Sequence, residues 1–151
     1  MTDHELMIRD AREADAESWR RLWDLYIEFY HAKIPGEVTD STWRRILDPV
    51  SPVFAIVAER GASLLGFAVC VLHEATWTTT PVCYLEDLFV APEARGAGAG
   101  RALITALMNR ARAAGWSRVY WHTQEGNTVA RNLYDEFARA DDFVRYRLSP
   151  S

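Results

Sequence analysis

Residues 85–104 read LEDLFVAPEARGAGAGRALI. Leu85–Val90 closes an apolar run that begins at Val82, and Pro92 breaks it. Arg95-Gly96-Ala97-Gly98-Ala99-Gly100 then leads straight into a stretch, Gly100–Ala114, whose Leu103, Ile104, Leu107, Met108 and Ala111 share one helical face. Gly115 is placed to end that helix, and Arg118–Thr123 reads as another strand. Strand, glycine-rich turn, helix and strand make a βαβ unit, so part of the sheet is expected to be parallel, with a right-handed crossover. Where a strand ends and a helix begins, backbone N–H groups and the positive helix end converge on one spot, and an anion is the natural ligand there. Arg95 and Arg101 add positive charge. Three alternating glycines cost backbone entropy that a plain turn would not repay.

Working outward, Glu5–Arg9 reads as a short strand. It is followed by a helix from Asp15 to His31, with Trp19, Leu22, Trp23, Tyr26, Ile27 and Tyr30 along one stripe. Asp15 reads as its N-cap, Pro35-Gly36 as the end of that region, and Asp40–Leu47 as a short second helix. Val53–Glu59, Leu64–His73 and Val82–Val90 look like an antiparallel meander. Beyond Thr123 come a helix over Asn127–Arg139 and a final strand near Phe143–Leu148. The expectation is one α/β domain over residues 1–151, a mixed and mostly antiparallel sheet flanked by helices. With 151 residues, 49% of them hydrophobic, there is enough to fill one core.

The net charge of −4 argues against a nucleic-acid partner, whose phosphates a binder must neutralise. Residues 1–94 hold 8 Lys/Arg against 16 Asp/Glu and residues 95–151 hold 9 against 5, so an acidic front half (−8) meets a basic back half (+4). That division suits an enzyme holding a cationic substrate with one half and a polyphosphate cofactor with the other. No run approaches the ~20 apolar residues of a membrane span, and Met1–Arg9 lacks a secretory apolar core, so a soluble cytoplasmic protein without a membrane partner is expected. Cys70 and Cys83 lie in apolar strands and read as buried thiols. The four histidines show no ligand spacing; no metal is expected, and the spacing gives these histidines no role.

The anion is unlike that of the common nucleotide motifs. A phosphate-binding P-loop needs Gly-Lys-Ser/Thr where this chain has Gly100-Arg101-Ala102, and G-x-G-x-x-G fails because Arg101 occupies its last position. The turn instead resembles the R/Q-x-x-G-x-G/A pyrophosphate loop of the GNAT acetyltransferases, through Arg95, Gly98 and Gly100. The resemblance continues in Leu85-Glu86-Asp87-Leu88-Phe89-Val90-x-Pro92, similar to the family's fourth strand, and in Asn127-x-x-Ala130-x-x-Leu133-Tyr134, similar to its second cofactor-contacting segment. The order of elements from residue 5 to residue 148 also follows the family, and the implied architecture is the acyl-CoA N-acyltransferase fold. One departure is Asp141-Asp142-Phe143 where the family often has Gly-Phe, which implies a displaced last turn and strand.

The resemblance implies an acetyl-CoA-dependent N-acetyltransferase without a metal, and an expected homodimer. It places the pyrophosphate on the N–H groups of Arg95, Gly96, Ala97, Gly98, Ala99, Gly100 and Arg101, and pantetheine along Leu88, Phe89 and Val90. Asn127 and Arg131 join them from one helix stripe. The Val90 N–H would polarise the thioester carbonyl. An attacking amine must first lose a proton, and Glu86 is the candidate base or amine-binding anion, with Asp87 second. Strand alternation places these two acids on opposite faces. Tyr134 resembles the tyrosine that protonates the departing thiolate.

The amine pocket implied by the family draws on Trp23, Tyr26, Tyr30, Trp43 and Trp77 with Glu28, Glu37 and Glu74. Tyr26, Tyr30, Trp77, Glu86 and Asp87 are the substrate-binding candidates, although most helix aromatics serve as core. The fourth strand is similar to that of polyamine and thialysine acetyltransferases, and Tyr120–Tyr134 to Hpa-type enzymes. The first favours a small cationic amine and the two point to different substrates; the expected acceptor is the primary amine of a small cationic molecule of polyamine, diamino acid or amino acid type. A protein lysine or N-terminus is the alternative, favoured by an exposed groove rather than a closed aromatic pocket. A non-catalytic acetyl-CoA binder would need only the loop, yet Glu86 and Tyr134 are both present.

Overall fold

β-Branched and aromatic residues crowd the middle third of the chain, and they form a sheet covered on both faces. In the computed structural model, which describes residues 4–150, β1 (Leu6–Asp10), β2 (Val53–Arg60), β3 (Ser63–His73), β4 (Val82–Val90) and β5 (Arg118–Tyr120) lie side by side in sequence order. β1 to β4 are antiparallel neighbours, and β5 joins β4 in parallel. The mixed, mostly antiparallel sheet is as the sequence predicts. Helices α1 (Ala16–Phe29), α2 (Gly36–Leu47), α3 (Ala99–Ala114) and α4 (Thr128–Tyr134) flank it.

One face is packed by Trp19, Leu22 and Trp23 of α1 and Ile46 of α2, against Val57, Phe67, Val69 and Phe89 of the strands. Trp19 stacks on Trp23 and Trp43 at 5.0 and 4.8 Å between ring centroids, and the Trp23 indole N–H donates to Thr39 Oγ1 at 3.2 Å. Most of the aromatic stripe is therefore core. The other face carries Leu103, Ile104 and Leu107 of α3 over Ile56, Ala68, Cys70, Cys83 and Leu85. Both cysteines are free and buried there. α3 ends at Gly115, whose N–H reaches the Ala111 carbonyl at 2.9 Å.

Local signals misplace several boundaries. Asp15 does not cap α1 with its side chain. Its carboxylate accepts two bonds from the Arg9 guanidinium, both 2.8 Å, and the Arg12 N–H at 2.9 Å, and Arg9 also holds Glu59 at 2.6 Å. At a buried position a bidentate, charge-assisted pair outweighs one capping bond. Pro35-Gly36 opens a helix instead of closing a region: the Pro35 carbonyl accepts from Val38 and Thr39, so α2 begins at Gly36. Proline lacks only an N–H that the first turn would leave unused. β5 stops at Tyr120, and α4 stops at Tyr134, with a following turn closed by Phe137 and Ala138 N–H on the Tyr134 carbonyl. The final strand near Phe143–Leu148 does not form: Phe143, Val144, Tyr146 and Leu148 stand 86%, 75%, 92% and 95% exposed. A strand persists only in a ladder, and this segment has no partner strand among the described residues.

Candidate active site

β4 carries a β-bulge. Val69 pairs with Asp87 and Cys70 with Leu85, leaving Glu86 as the extra residue. Leu85 packs beneath α3. Alternation from Leu85 turns Glu86 to the α1 side, and the bulge turns Asp87 there as well, where its Oδ1 accepts the Tyr26 hydroxyl at 2.7 Å. The expectation that the two acids face opposite ways is thus overturned, because alternation fails at an unpaired residue. The Glu86 charge is felt at Tyr26, Tyr84, Asp87 and Tyr120, all on that side.

Burial pushes the Asp87 carboxyl up to about 6; the Tyr26 bond works against that rise and the Glu86 charge adds to it. The Tyr26 hydroxyl is pushed up in turn, by burial first and then by Asp87. Because Asp87 binds its proton more tightly folded than unfolded, its contribution to stability is full below about pH 4. It is lost as pH rises towards 6. Asp87→Asn is accordingly expected to raise stability at pH 8 by on the order of 1–3 kcal/mol, with little gain at pH 4.5. Urea melts of both proteins at the two pH values check this, and an equal shift at both would contradict it.

The ladder between β4 and β5 ends at Tyr84–Tyr120, whereas β4 runs on to Val90. Beyond Tyr84 the two strands therefore open into a V. The Ala91 N–H reaches back to the Leu65 carbonyl at 2.8 Å. Alternation consequently turns the N–H groups of Val90 and Leu88 into the open side of the V, while Phe89 is buried in the α1-side core.

At the mouth of the V the glycine-rich turn presents the N–H groups of Gly96, Gly98, Ala99, Gly100 and Arg101, none with an acceptor among the described residues. Gly98, with φ of 84°, adopts the left-handed conformation this requires, and a β-carbon on it would meet nothing within 4 Å. The cradle fits a pyrophosphate: oriented donors at the positive end of a sixteen-residue helix, with free space before them. Ala97 differs, since its N–H closes a turn on the Ala94 carbonyl at 3.3 Å. The two arginines are also engaged. Arg95 Nε donates to the Val90 carbonyl at 3.4 Å, with its guanidinium over Phe29 and Phe89, and Arg101 pairs with Glu136 at 2.7 Å.

Beyond the V, α4 places Asn127, Ala130, Arg131 and Tyr134. Asn127 caps the helix through Ala130 N–H at 3.4 Å and donates to Thr123 Oγ1 at 3.3 Å. Arg131 donates to the Glu125 carbonyl at 2.8 Å. Tyr134 lies edge-on to Trp121 with 5.5 Å between centroids, and burial, helped by Tyr30, pushes its hydroxyl up to about 12. It therefore stays protonated at neutral pH.

On the acceptor side Tyr26 meets Tyr30 edge-to-face at 5.2 Å, while Trp23 and Trp43 belong to the core. Trp77 is 99% exposed and makes no aromatic contact among the described residues, so the structure does not bring it to the site. Sequence reasoning missed four residues. Tyr84 and Tyr120, cross-strand partners, stack at 4.9 Å; the Tyr84 hydroxyl bonds His122 Nδ1 at 3.1 Å, and the Tyr120 hydroxyl bonds His73 Nε2 at 2.8 Å. The i, i+2 spacing of Arg118, Tyr120 and His122 was the available signal.

A family model described as "Acetyltransferase (GNAT) family" matches residues 19–138. The chain belongs to the GNAT acetyltransferase family. It is thus an N-acetyltransferase of a family whose acyl donor is acetyl-CoA. It is 33% identical to the D-amino-acid N-acetyltransferase HPA3 of Saccharomyces cerevisiae, over 97% of this chain and 92% of that one. It is 30% identical to the thialysine N-epsilon-acetyltransferase of Mus musculus, over 91% and 85%. Among solved structures, a GNAT fold of this form occurs in an aminoglycoside acetyltransferase from an uncultured soil metagenomic sample, at TM-score 0.82 and 19% identity over 97% of both chains. It occurs too in aminoglycoside N-acetyltransferase AAC(6')-Iy in complex with CoA, at 0.81 and 21% over 97% of both. As in the sequence-based expectation, this is the fold of acyl-CoA N-acyltransferases.

Proposed function

We propose that this GNAT enzyme transfers the acetyl group of acetyl-CoA to the primary amine of a small substrate, by direct attack in a ternary complex. The observation that carries the reading is the placing of two carboxylates, Glu86 and Asp87, on the open face beside a V that leads from an anion cradle. The N–H groups of Gly96, Gly98, Ala99, Gly100 and Arg101 hold the pyrophosphate, with Arg95, Asn127 and Arg131 around it, and the outward backbone of Leu88 and Val90 aligns the pantetheine. Acetyl-CoA bound there supplies an activated acyl carbon. The Val90 N–H stabilises the charge that develops on the carbonyl oxygen. Glu86, exposed on the bulge, takes the proton that the amine loses as the N–C bond forms. Tyr134 donates a proton to the sulfur as the C–S bond breaks.

Tyr26 and Tyr30 line the amine side, which is acidic and aromatic. The two relatives named above for small-molecule substrates match over nearly the whole chain, and this supports a small amine, of polyamine, diamino acid or amino acid type. The openness of the face, with Glu86 and His122 exposed, favours a protein lysine or N-terminus as a second reading. The purified protein is expected to release thiol from acetyl-CoA with free amines more efficiently than with a lysine or N-terminal peptide. The reverse order would favour the second reading, and no release with either would sink both.

A homodimer in the cytoplasm completes the proposal. Two buried free thiols suit a reducing compartment. The exposed apolar side chains of residues 143–148 are surface that a second copy would cover. Light scattering should give twice the 17.2 kDa chain mass; a monomer at tens of micromolar would contradict it.

A further inference from the structure

Glu86 and His122 flank the closed end of the V. The ladder between β4 and β5 ends at Tyr84–Tyr120, and two residues further along each chain segment come Glu86 and His122. Both are exposed, on the face that carries the two tyrosines. Tyr84 and Tyr120 stack at 4.9 Å, and the His122 ring stands edge-on to both, 5.4 Å from Tyr84 and 6.0 Å from Tyr120. The two imidazoles of this wall differ in what they leave free. His73 has both nitrogens engaged, Nδ1 donating to the Glu74 carbonyl at 2.8 Å and Nε2 held by the Tyr120 hydroxyl at 2.8 Å. His122 is held at Nδ1 alone, by the Tyr84 hydroxyl at 3.1 Å, and its Nε2 has no partner among the described residues. A titratable ring is thus fixed at the Glu86 end of the wall with one nitrogen open, and the amine reading gives it no part.

We infer that His122 is a second proton acceptor in the transfer, receiving on Nε2 the proton that Glu86 takes from the amine, and that Tyr84 is its positioning residue. The inference rests on the proposed amine acetylation and adds a step to it. As the nitrogen lone pair forms the N–C bond, the proton it sheds passes to the Glu86 carboxylate and from there to the Nε2 lone pair. Solvent takes it from the exposed imidazolium, and both side chains return to their starting states. Imidazole is the side chain that most readily takes up and gives back a proton near neutral pH, so the relay ends on a carrier suited to both steps. The step requires Nδ1 to carry the ring hydrogen and donate it to the Tyr84 oxygen, whose lone pairs can accept it. The imidazolium keeps that bond, so the ring stays in place between uptake and release. The titratable and charged groups around His122 are Glu86 and Tyr84 on β4, Tyr120 in its own segment, and Arg145 of the C-terminal segment, whose charge, like those of Glu86 and Asp87, is felt at Tyr84. The Tyr84 and Tyr120 hydroxyls are both pushed up, chiefly by burial. They stay protonated at neutral pH, and Tyr84 therefore orients the imidazole without competing for the proton.

The test measures thiol release from acetyl-CoA at about pH 7 and about pH 9.5 by the full chain, His122→Gln and Tyr84→Phe, with lysine, cadaverine and a lysine peptide as acceptors. In His122→Gln, kcat/KM for whichever acceptor turns over is expected to fall by roughly 10- to 100-fold at the lower pH. At the higher pH, where much of the amine is already neutral, it should come within about threefold of the parent. Added imidazole should recover part of the lost rate of this variant at the lower pH and leave the parent unchanged. Tyr84→Phe keeps the stacking and loses the hydroxyl, so a smaller deficit with the same pH pattern is expected. Acetyl-CoA affinity reports that the variants remain folded. A loss in His122→Gln that is equal at both pH values, or that stays under about twofold at the lower one, overturns this inference and leaves amine acetylation standing. If none of the three acceptors releases thiol with the parent, the proposed function falls and the inference falls with it.

Discussion

Glu86→Gln lowers kcat/KM for the amine by roughly 100- to 1,000-fold while acetyl-CoA affinity stays within about a factor of two. The carboxylate is the exposed member of the bulge pair, free to meet an ammonium group and pass its proton to water, whereas Asp87 is held by Tyr26. Glutamine keeps the volume and the hydrogen-bonding reach but can neither accept the proton nor balance the positive charge. Because the proposed cofactor cradle lies at the start of α3, where the N–H groups are free among the described residues, and along Leu88 and Val90, cofactor binding is expected to be insulated from the change. Steady-state kinetics together with a calorimetric titration of acetyl-CoA separate the two. A loss of less than tenfold would move the proton-accepting role to Asp87 or to solvent.

Gly66→Ala costs about 1–3 kcal/mol of stability and, well below the melting temperature, also slows turnover. Gly66 lies in β3 opposite Val90, and a β-carbon there would stand 2.6 Å from the Phe89 carbonyl oxygen and 3.2 Å from the Val90 Cα. Both obstacles are backbone, so relief requires β3 and β4 to separate. Phe89 is anchored in the core and cannot yield freely. The strain therefore moves the segment whose Val90 N–H is proposed to polarise the thioester, and a misplacement of about 1 Å there can cost on the order of 100-fold in rate. Thermal melts and kcat at 15 °C measure the two effects. Unchanged kcat in a destabilised but folded variant would mean that Val90 takes no part in polarising the carbonyl.

Much of the fold was legible because its signals are local. Val82–Val90, the helical face of Leu103, Ile104 and Leu107, and the glycines between them each declare themselves within a few residues. The βαβ unit follows from their order, and the unpaired N–H groups at the start of α3 follow from that unit. Asp15 departs from its local reading because the propensity to cap lost to the Arg9 guanidinium, which also holds Glu59, and Pro35-Gly36 because proline suits the start of a helix as well as a stop. The apolar alternation of Phe143–Leu148 was read as a strand, yet alternation states only that a segment could pair.

The candidate site divides in the same way. The sequence determined by itself that a glycine-rich turn joins a strand to a helix, where free N–H groups suit an anion, that two acids precede that turn, and that a tyrosine follows on a helix stripe, because spacing along one element fixes which residues are neighbours. Only the tertiary structure decided that Glu86 and Asp87 share a face, since a bulge is a property of the pairing between β3 and β4 and leaves no trace in β4 alone. It alone joined Tyr84 to Tyr120 and His122, and His73 to Tyr120 across 47 residues, through ladders whose register is set by the packing of the whole sheet.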